Sequence, residues 1–146
     1  PAEILFDCGL GDLFVVRVAG NVVAPSLLGS IEFAVLAFKT PLIVVMGHTH
    51  CGAIQATLQA IDSGKKADSD NINEIVTRIQ PSLQDLPSYK DPALRCNQAV
   101  RANIHHSVME IKKSAYLRDK LLKNEIKLVG AEYNLETGNV EFFENH

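Results

Sequence analysis

Two residues with metal-binding side chains, His48 and Cys51, stand three positions apart in the stretch LIVVMGHTHCG at residues 42–52. An imidazole and a thiolate are borderline-soft ligands that suit zinc. Two ligands make only half of a zinc site, and an isolated pair of this kind is more often a small buried cysteine beside a hydrogen-bonded histidine. His50 lies between them, and we expect its side chain to point elsewhere, in a structural or solvent-facing role.

The residues around this pair predict a strand that carries it to one edge of a sheet. Leu42–Met46 gives five consecutive apolar residues between Pro41 and Gly47, a pattern typical of a strand that is covered on both faces in a parallel sheet. The carboxyl ends of such strands are where α/β proteins bind ligands. Gly52 then begins a helical segment, whose amino end would lie beside any bound anion.

The composition indicates one globular domain over residues 1–146. Hydrophobic residues make up 47% and charged residues 21%, and the formal charge of −3 gives no basic surface for nucleic acid. We therefore expect no nucleic-acid partner. No apolar run has the length of a membrane span, and the start shows no signal-peptide pattern, so we expect no membrane partner either. The three widely spaced cysteines suit a reducing compartment, which makes the cytoplasm the expected location.

The segments before the central strand predict a short helical turn, a strand and a helix. Residues 1–12 should form the turn, and Leu13–Val18 should form the strand because it is rich in β-branched residues. Ser26–Lys39 should form the helix, with Ser26 as its N-cap. That helix is apolar on nearly every side and needs cover on every side, so we expect a homo-oligomer, either a dimer or a dimer of dimers.

The segments after the central strand and the helix that begins at Gly52 predict three more helices and a hairpin. The longest helix, within residues 93–114, carries an apolar stripe that should belong to the core, and we expect His105, His106 and Cys96 to have no chemical role. Gly138 suits the turn of a terminal hairpin. The predicted elements are helices at 71–80, 93–114 and 115–124 and strands at 126–133 and 140–143, and the stripe consists of Val100, Ile104, Val108 and Ile111.

Four blocks of the sequence together resemble a β-class carbonic anhydrase. They are GDLFVVRVAGN at 11–21, SIEFAV at 30–35, VVMGHTHCGAI at 44–54 and IKLVGAEYNLETGNV at 126–140, in the order that the family has. The resemblance implies an α/β fold with a mostly parallel central sheet, flanking helices and a carboxyl-terminal hairpin.

The resemblance also implies a zinc site with two cysteines and one histidine, of which His48 and Cys51 match the histidine and the second cysteine. The first cysteine belongs to a CxDxR motif that would precede Pro1 and is absent from these residues, together with its aspartate and arginine. We therefore expect no catalytic residue within residues 1–146. In the family, the motif lies at the end of the central first strand of the sheet, between the strands that match Leu13–Val18 and Leu42–Met46. Residues 1–146 do not contain this strand, so we expect the sequence to be part of a longer chain.

The implied reaction is the reversible hydration of carbon dioxide to bicarbonate and a proton. Zinc lowers the pKa of its bound water from near 16 to about 7. By match to the family, Phe14, Ala19 and Phe33 would line an apolar pocket for carbon dioxide, and the backbone N–H of Gly52 would face bicarbonate.

Three other interpretations stay open at this point. The chain could be an inactive, zinc-free homologue with a structural or regulatory role. It could also be a thiol enzyme that uses Cys51 with His48 as its base. Finally, zinc could bind through His48, Cys51 and a recruited group, either Cys8 or Asp12.

Overall fold

Three strands form one sheet in the order β1-β2-β3 in the computed structural model, which describes residues 1–143. The first pair is parallel, with Leu42 opposite Lys127 and His48 opposite Tyr133, and the second pair is an antiparallel hairpin. Gly138 has φ 76° in the connection, as its predicted turn role requires. The strands are β1 (Leu42–His48), β2 (Lys127–Tyr133) and β3 (Val140–Phe143).

Six helices and one 3₁₀ turn complete the described part of the chain, so the predicted α/β class and the terminal hairpin are confirmed. No helix within residues 1–143 is long and apolar enough to cross a bilayer. The helices are α1 (Ala2–Leu5), α2 (Pro25–Phe38), α3 (Gly52–Ser63), α4 (Asp70–Leu83), α5 (Pro92–Lys112) and α6 (Ala115–Leu122), and the 3₁₀ turn is Ala19–Asn21.

Helix α5 packs across β1 and β2 and forms the centre of the core. Pro92 occupies its first turn, and the side chain of Asp91 caps it by accepting a hydrogen bond from the N–H of Ala93 at 2.9 Å. The predicted apolar stripe is fully buried, which confirms the periodicity as a core signal. Its members Val100, Ile104, Val108 and Ile111 lie in one hydrophobic cluster with residues of β1, α3 and β2.

Helices α2 and α4 begin and end at residues that differ from the prediction. Helix α2 starts at Pro25 with Ala24 as its N-cap, so the prediction of Ser26 as N-cap is wrong. Proline has a helical φ and no N–H to satisfy, which places the start one residue earlier. Helix α4 continues through Pro81 to Leu83, because the buried side chains of Ile79 and Leu83 anchor its last turn to the core.

The predicted strand Leu13–Val18 is not a strand in the structure. None of the described residues pairs with it in a ladder, and Phe14, Val15, Val16 and Val18 are exposed. A strand needs a partner for its backbone donors and acceptors, and this segment has none among residues 1–143.

Strand β1 is buried on one face and only partly covered on the other, so the prediction that both faces are buried is wrong. Ile43 and Val45 are buried against α5, whereas Val44 and Met46 are half-buried and Leu42 is exposed. β1 is also an edge strand of the described sheet, because its only ladder partner is β2.

Candidate metal centre

His48 is the last residue of β1, and its ring is held by one backbone contact. Its Nδ1 lies 2.8 Å from the carbonyl oxygen of Thr49. A carbonyl oxygen only accepts hydrogen bonds, so Nδ1 must carry the proton. The neutral ring then keeps its lone pair on Nε2, and His48 is exposed, so this nitrogen is suited to bind a metal ion.

His50 reverses the direction of the chain between the two candidate ligands. Its φ of 57° lies in the left-handed region, which few residues other than glycine adopt. Its side chain is 59% exposed and its Nε2 lies 3.1 Å from Oε1 of Glu136. The prediction that His50 points away from the pair, toward solvent, is confirmed.

Cys51 is buried at 6% exposure and is the N-cap residue of α3. The amino end of a helix carries partial positive charge and free N–H groups, so an anion is favoured beside this position. Gly52 follows as the first residue of the helix, and a Cβ added there would meet no atom within 4 Å. The strand end and the helix start therefore put a nitrogen donor, a sulfur donor and open space at one end of β1.

The donor set of the described residues fits half of a zinc site. Protein zinc sites use at least three protein ligands, and no group of three or more histidine, cysteine, aspartate or glutamate side chains within residues 1–143 could hold a metal ion. The two groups considered as recruited ligands are engaged locally: Cys8 donates to the carbonyl of Phe6, and Asp12 accepts from the N–H of Gly9. The interpretation that Cys8 or Asp12 supplies a third zinc ligand is therefore wrong for the described residues.

The predicted pocket residues lie on an exposed apolar surface. Phe14 is 45% and Phe33 is 54% exposed, and the rings of both contact Phe38, with centroids 5.9 and 5.7 Å apart. Ala19 is exposed as the first residue of the 3₁₀ turn. Neither aromatic ring belongs to the core. Core packing therefore does not explain these two residues, and both rings are available to a binding surface.

A cavity of about 590 Å³ lies beside His50, and neither His48 nor Cys51 belongs to its lining. On one wall, Arg95 forms a two-point ion pair with Asp62, and this guanidinium lowers the pKa of the carboxyl group. Cys96 lines the cavity too, and burial raises the pKa of its thiol, which disfavours a reactive thiolate there.

Thr49 was missed as a functional candidate by sequence reasoning. It is a buried polar residue whose backbone holds the ring of His48, and its only sequence signal is its place between the two candidate ligands. A short polar side chain in such a place is common in turns, so the sequence did not distinguish it.

The sequence of nearly the whole chain matches one family of known proteins. A family model described as carbonic anhydrase matches residues 1–140. The chain belongs to the carbonic anhydrase family. Its relatives include the carbonic anhydrase of Mycolicibacterium smegmatis, at 43% identity over 96% of this chain and 67% of that protein. Carbonic anhydrase 2 of Mycobacterium tuberculosis is 38% identical over 94% of this chain and 65% of that protein.

Solved structures place the carbonic anhydrase fold of this chain in the β class. The β-carbonic anhydrase CcaA superposes with a TM-score of 0.88 at 23% identity, over 99% of this chain and 68% of that chain. A tetrameric β-carbonic anhydrase of Sordaria macrospora superposes with a TM-score of 0.85 at 18% identity, over 99% of this chain and 75% of that chain. The chain thus spans about two thirds of the length of the curated relatives above.

Proposed function

We propose that this chain forms the larger part of a zinc-dependent carbonic anhydrase, which catalyses the reversible hydration of carbon dioxide to bicarbonate and a proton. One observation carries the proposal. The Nε2 of His48 and the sulfur of Cys51 lie at the same end of β1, in a chain whose family is named for this reaction.

Zinc would be held by His48 through Nε2 and by Cys51 through its sulfur. The metal supplies a Lewis acid that makes hydroxide available near neutral pH. The protein contributes a histidine with its proton fixed on Nδ1 and a buried cysteine at the start of α3. These two residues therefore prepare the donors before the ion binds.

A further ligand must come from outside the described residues, and the edge of β1 is the place from which it would come. Within residues 1–143, the outer edge of β1 and the segment Leu13–Val18 have no ladder partner, so both offer backbone groups to an additional strand. A strand that is parallel to β1 would end beside His48. We propose that this strand is an amino-terminal part of a longer chain, so that residues 1–146 make up most of one domain.

The substrate side of the site consists of apolar groups and one backbone donor. Carbon dioxide is apolar, and Phe14, Ala19 and Phe33 supply exposed apolar surface for it. The N–H of Gly52, in the first turn of α3, has no intrahelical acceptor and would donate to bicarbonate.

A second copy of the chain would cover the apolar side of α2. Leu36, Phe33 and Phe38 of this helix are all more than half exposed, and large exposed apolar patches mark interaction surfaces. We propose a homo-oligomer that buries this surface.

The unpaired state of Cys8, Cys51 and Cys96 supports a reducing, cytoplasmic location.

The deciding experiment measures the intact mass, the zinc content and the rate of carbon dioxide hydration on one purified sample. We expect about one zinc per chain and measurable hydration, in a polypeptide heavier than the 16.0 kDa of these residues. His48→Gln and Cys51→Ser should each lose the zinc. His50→Asn is the matched control and should keep it, because His50 faces Glu136 and asparagine tolerates its left-handed backbone.

The zinc-free homologue and the thiol enzyme make different predictions in the same experiment. A chain of matching mass without zinc and without hydration would contradict our proposal and favour a structural or regulatory homologue. Activity that survives complete removal of zinc and is lost on alkylation of Cys51 would favour the thiol enzyme.

A further inference from the structure

Thr49 makes a hydrogen bond with each of its polar groups within one short region of the structure. Its N–H donates to the carbonyl of Tyr133 at 3.0 Å, and its Oγ1 accepts from the N–H of Leu135 at 3.0 Å. Its carbonyl accepts from Nδ1 of His48 at 2.8 Å. The residue is 6% exposed, so water does not compete well for these groups.

The first two hydrogen bonds attach Thr49 to the chain that leaves β2. The N–H bond extends the β1–β2 ladder by one position beyond the pair His48 and Tyr133. The hydroxyl bond reaches two residues further along the same chain. Two attachments on one residue fix the plane of the peptide that follows it, and the carbonyl of that peptide is the group that faces His48.

The third hydrogen bond selects one form of the neutral histidine. A neutral imidazole carries its proton on either nitrogen, and the acceptor beside one nitrogen decides which form is stable. Among residues 1–143, the carbonyl of Thr49 is the one hydrogen-bond partner found for the ring of His48. The direction of this carbonyl therefore sets both the proton position and the orientation of the ring.

We propose that Thr49 is a positioning residue, whose side-chain hydroxyl sets the tautomer and ring orientation of His48 through its own carbonyl. The hydroxyl does not touch the ring. It acts by holding the Thr49 peptide against the N–H of Leu135. The value of this arrangement for zinc binding rests on the function proposed above, whereas the arrangement itself is a property of the metal-free chain.

The primary test compares Thr49→Val with Thr49→Ser by ¹⁵N NMR of the histidine rings in the metal-free protein. Valine has the shape of threonine without the hydroxyl, and serine keeps the hydroxyl. The spectra are recorded at about pH 9, where an ordinary histidine is neutral, and the signals of His48 are assigned by their loss in His48→Gln. We expect the Nδ1–H tautomer in the parent and in Thr49→Ser, and a mixture of both tautomers in Thr49→Val.

Zinc affinity provides a second readout on the longest available form of the protein. Loss of an outer partner of a metal-binding histidine weakens binding about 10- to 100-fold, and we expect such a loss in Thr49→Val. Thr49→Ser should bind zinc nearly as tightly as the parent, because serine keeps the hydroxyl. If Thr49 acted only through its bulk, Thr49→Ser would be the weaker variant, because serine lacks the methyl group. The signals of His50 should be the same in all variants.

The outcomes separate this inference from the proposed function. An unchanged Nδ1–H tautomer in Thr49→Val would overturn the positioning role, whether or not the protein binds zinc. The expected tautomer change in a protein that binds no zinc would support the positioning role and contradict the proposed function. Thr49→Ala is the second variant in case Thr49→Val does not fold, and failure of both to fold would assign Thr49 to stability alone and overturn the proposal.

Discussion

The carboxylates of Glu132 and Glu141 lie directly opposite each other across the β2–β3 ladder. Like charges in this relationship repel, but Arg101 of α5 pairs with both of them. Its Nε lies 2.6 Å from Oε2 of Glu132, although this buried oxygen has no well-directed hydrogen bond. Arg101 thus joins the terminal hairpin to the central helix, and interaction with Glu141 and Glu132 raises the pKa of its guanidinium.

Replacement of Arg101 by glutamine should destabilise the chain. The side chain of Glu132 is only 8% exposed and would lose its charge partner. Because Arg101 itself is partly exposed, we expect a loss of about 2 kcal/mol in the free energy of unfolding, below the 3–5 kcal/mol typical of a fully buried pair. Urea denaturation measures the effect.

Two further variants control the Arg101 experiment. Adding Glu132→Gln to Arg101→Gln should recover part of the stability, because it removes the unpaired charge. Lys123→Gln breaks an exposed ion pair with Asp119 and should cost about 0.5 kcal/mol or less. Equal losses in Arg101→Gln and Lys123→Gln would contradict the role given to Arg101.

Gly47→Ala should destabilise the end of β1. A Cβ at this position would lie 2.8 Å from both Cγ1 and Cδ1 of Ile104, whose side chain is fully buried. Overpacking of this kind typically costs about 1–3 kcal/mol. Thermal denaturation should show the loss, and zinc binding should weaken with it because Gly47 precedes His48.

Gly29→Ala is the matched control for Gly47. Gly29 lies within α2, and a Cβ added there would meet no atom within 4 Å. Alanine in an exposed helix interior is more favourable than glycine by about 0.5–1 kcal/mol. If Gly29→Ala lost as much stability as Gly47→Ala, the result would contradict the explanation that a Cβ at Gly47 is too close to Ile104.

Phe38→Asp should shift the protein to smaller assemblies. The ring of Phe38 contacts both Phe14 and Phe33 and is itself mostly exposed, so a charge there disrupts the apolar surface with little effect on the core. Light scattering after size-exclusion chromatography measures the mass. The control is Leu122→Asp, which changes a leucine that is 78% exposed at the end of α6 and should leave the assembly unchanged.

Cys96 should react more slowly with an alkylating reagent at neutral pH than the same thiol does in the unfolded chain. Burial is the largest cause that raises its pKa above 9.0, negative charge on Cys51 adds to the shift, and a hydrogen bond with Gln55 opposes it. The folded chain therefore holds the thiol proton more tightly. This contribution to stability is complete below the unfolded-state pKa and is lost as the pH rises through the folded-state pKa.

The measurement for Cys96 is the pH dependence of alkylation in a Cys8→Ser, Cys51→Ser background. The midpoint of the rate profile should lie at higher pH in the folded chain than in urea. Coincident midpoints would show that burial does not act on this thiol.

Local patterns predicted most of the fold because their causes are local. Val100, Ile104 and Val108 follow the period of a helix, and Gly138 marks a turn with positive φ, so neither needed information from distant residues. Leu13–Val18 failed as a strand because strand formation depends on a partner elsewhere in space. The start of α2 was placed one residue late because Ser26 and Pro25 are competing start signals.

The candidate site was predictable only in part, for the same reason. The spacing of His48 and Cys51 gave both donors and their place at the end of β1. The contacts of Thr49 with Leu135 and of Arg101 with Glu141 join residues 86 and 40 positions apart. No periodicity or short motif encodes such pairs, so they appeared only when the chain was folded.

The open edge of β1 has a practical consequence for anyone who purifies this polypeptide. A row of backbone amides and carbonyls that has no ladder partner among residues 1–143 is a template on which another extended molecule can pair and precipitate. Yields should therefore fall steeply with concentration, and a short soluble peptide rich in β-branched residues, added during refolding, should improve recovery.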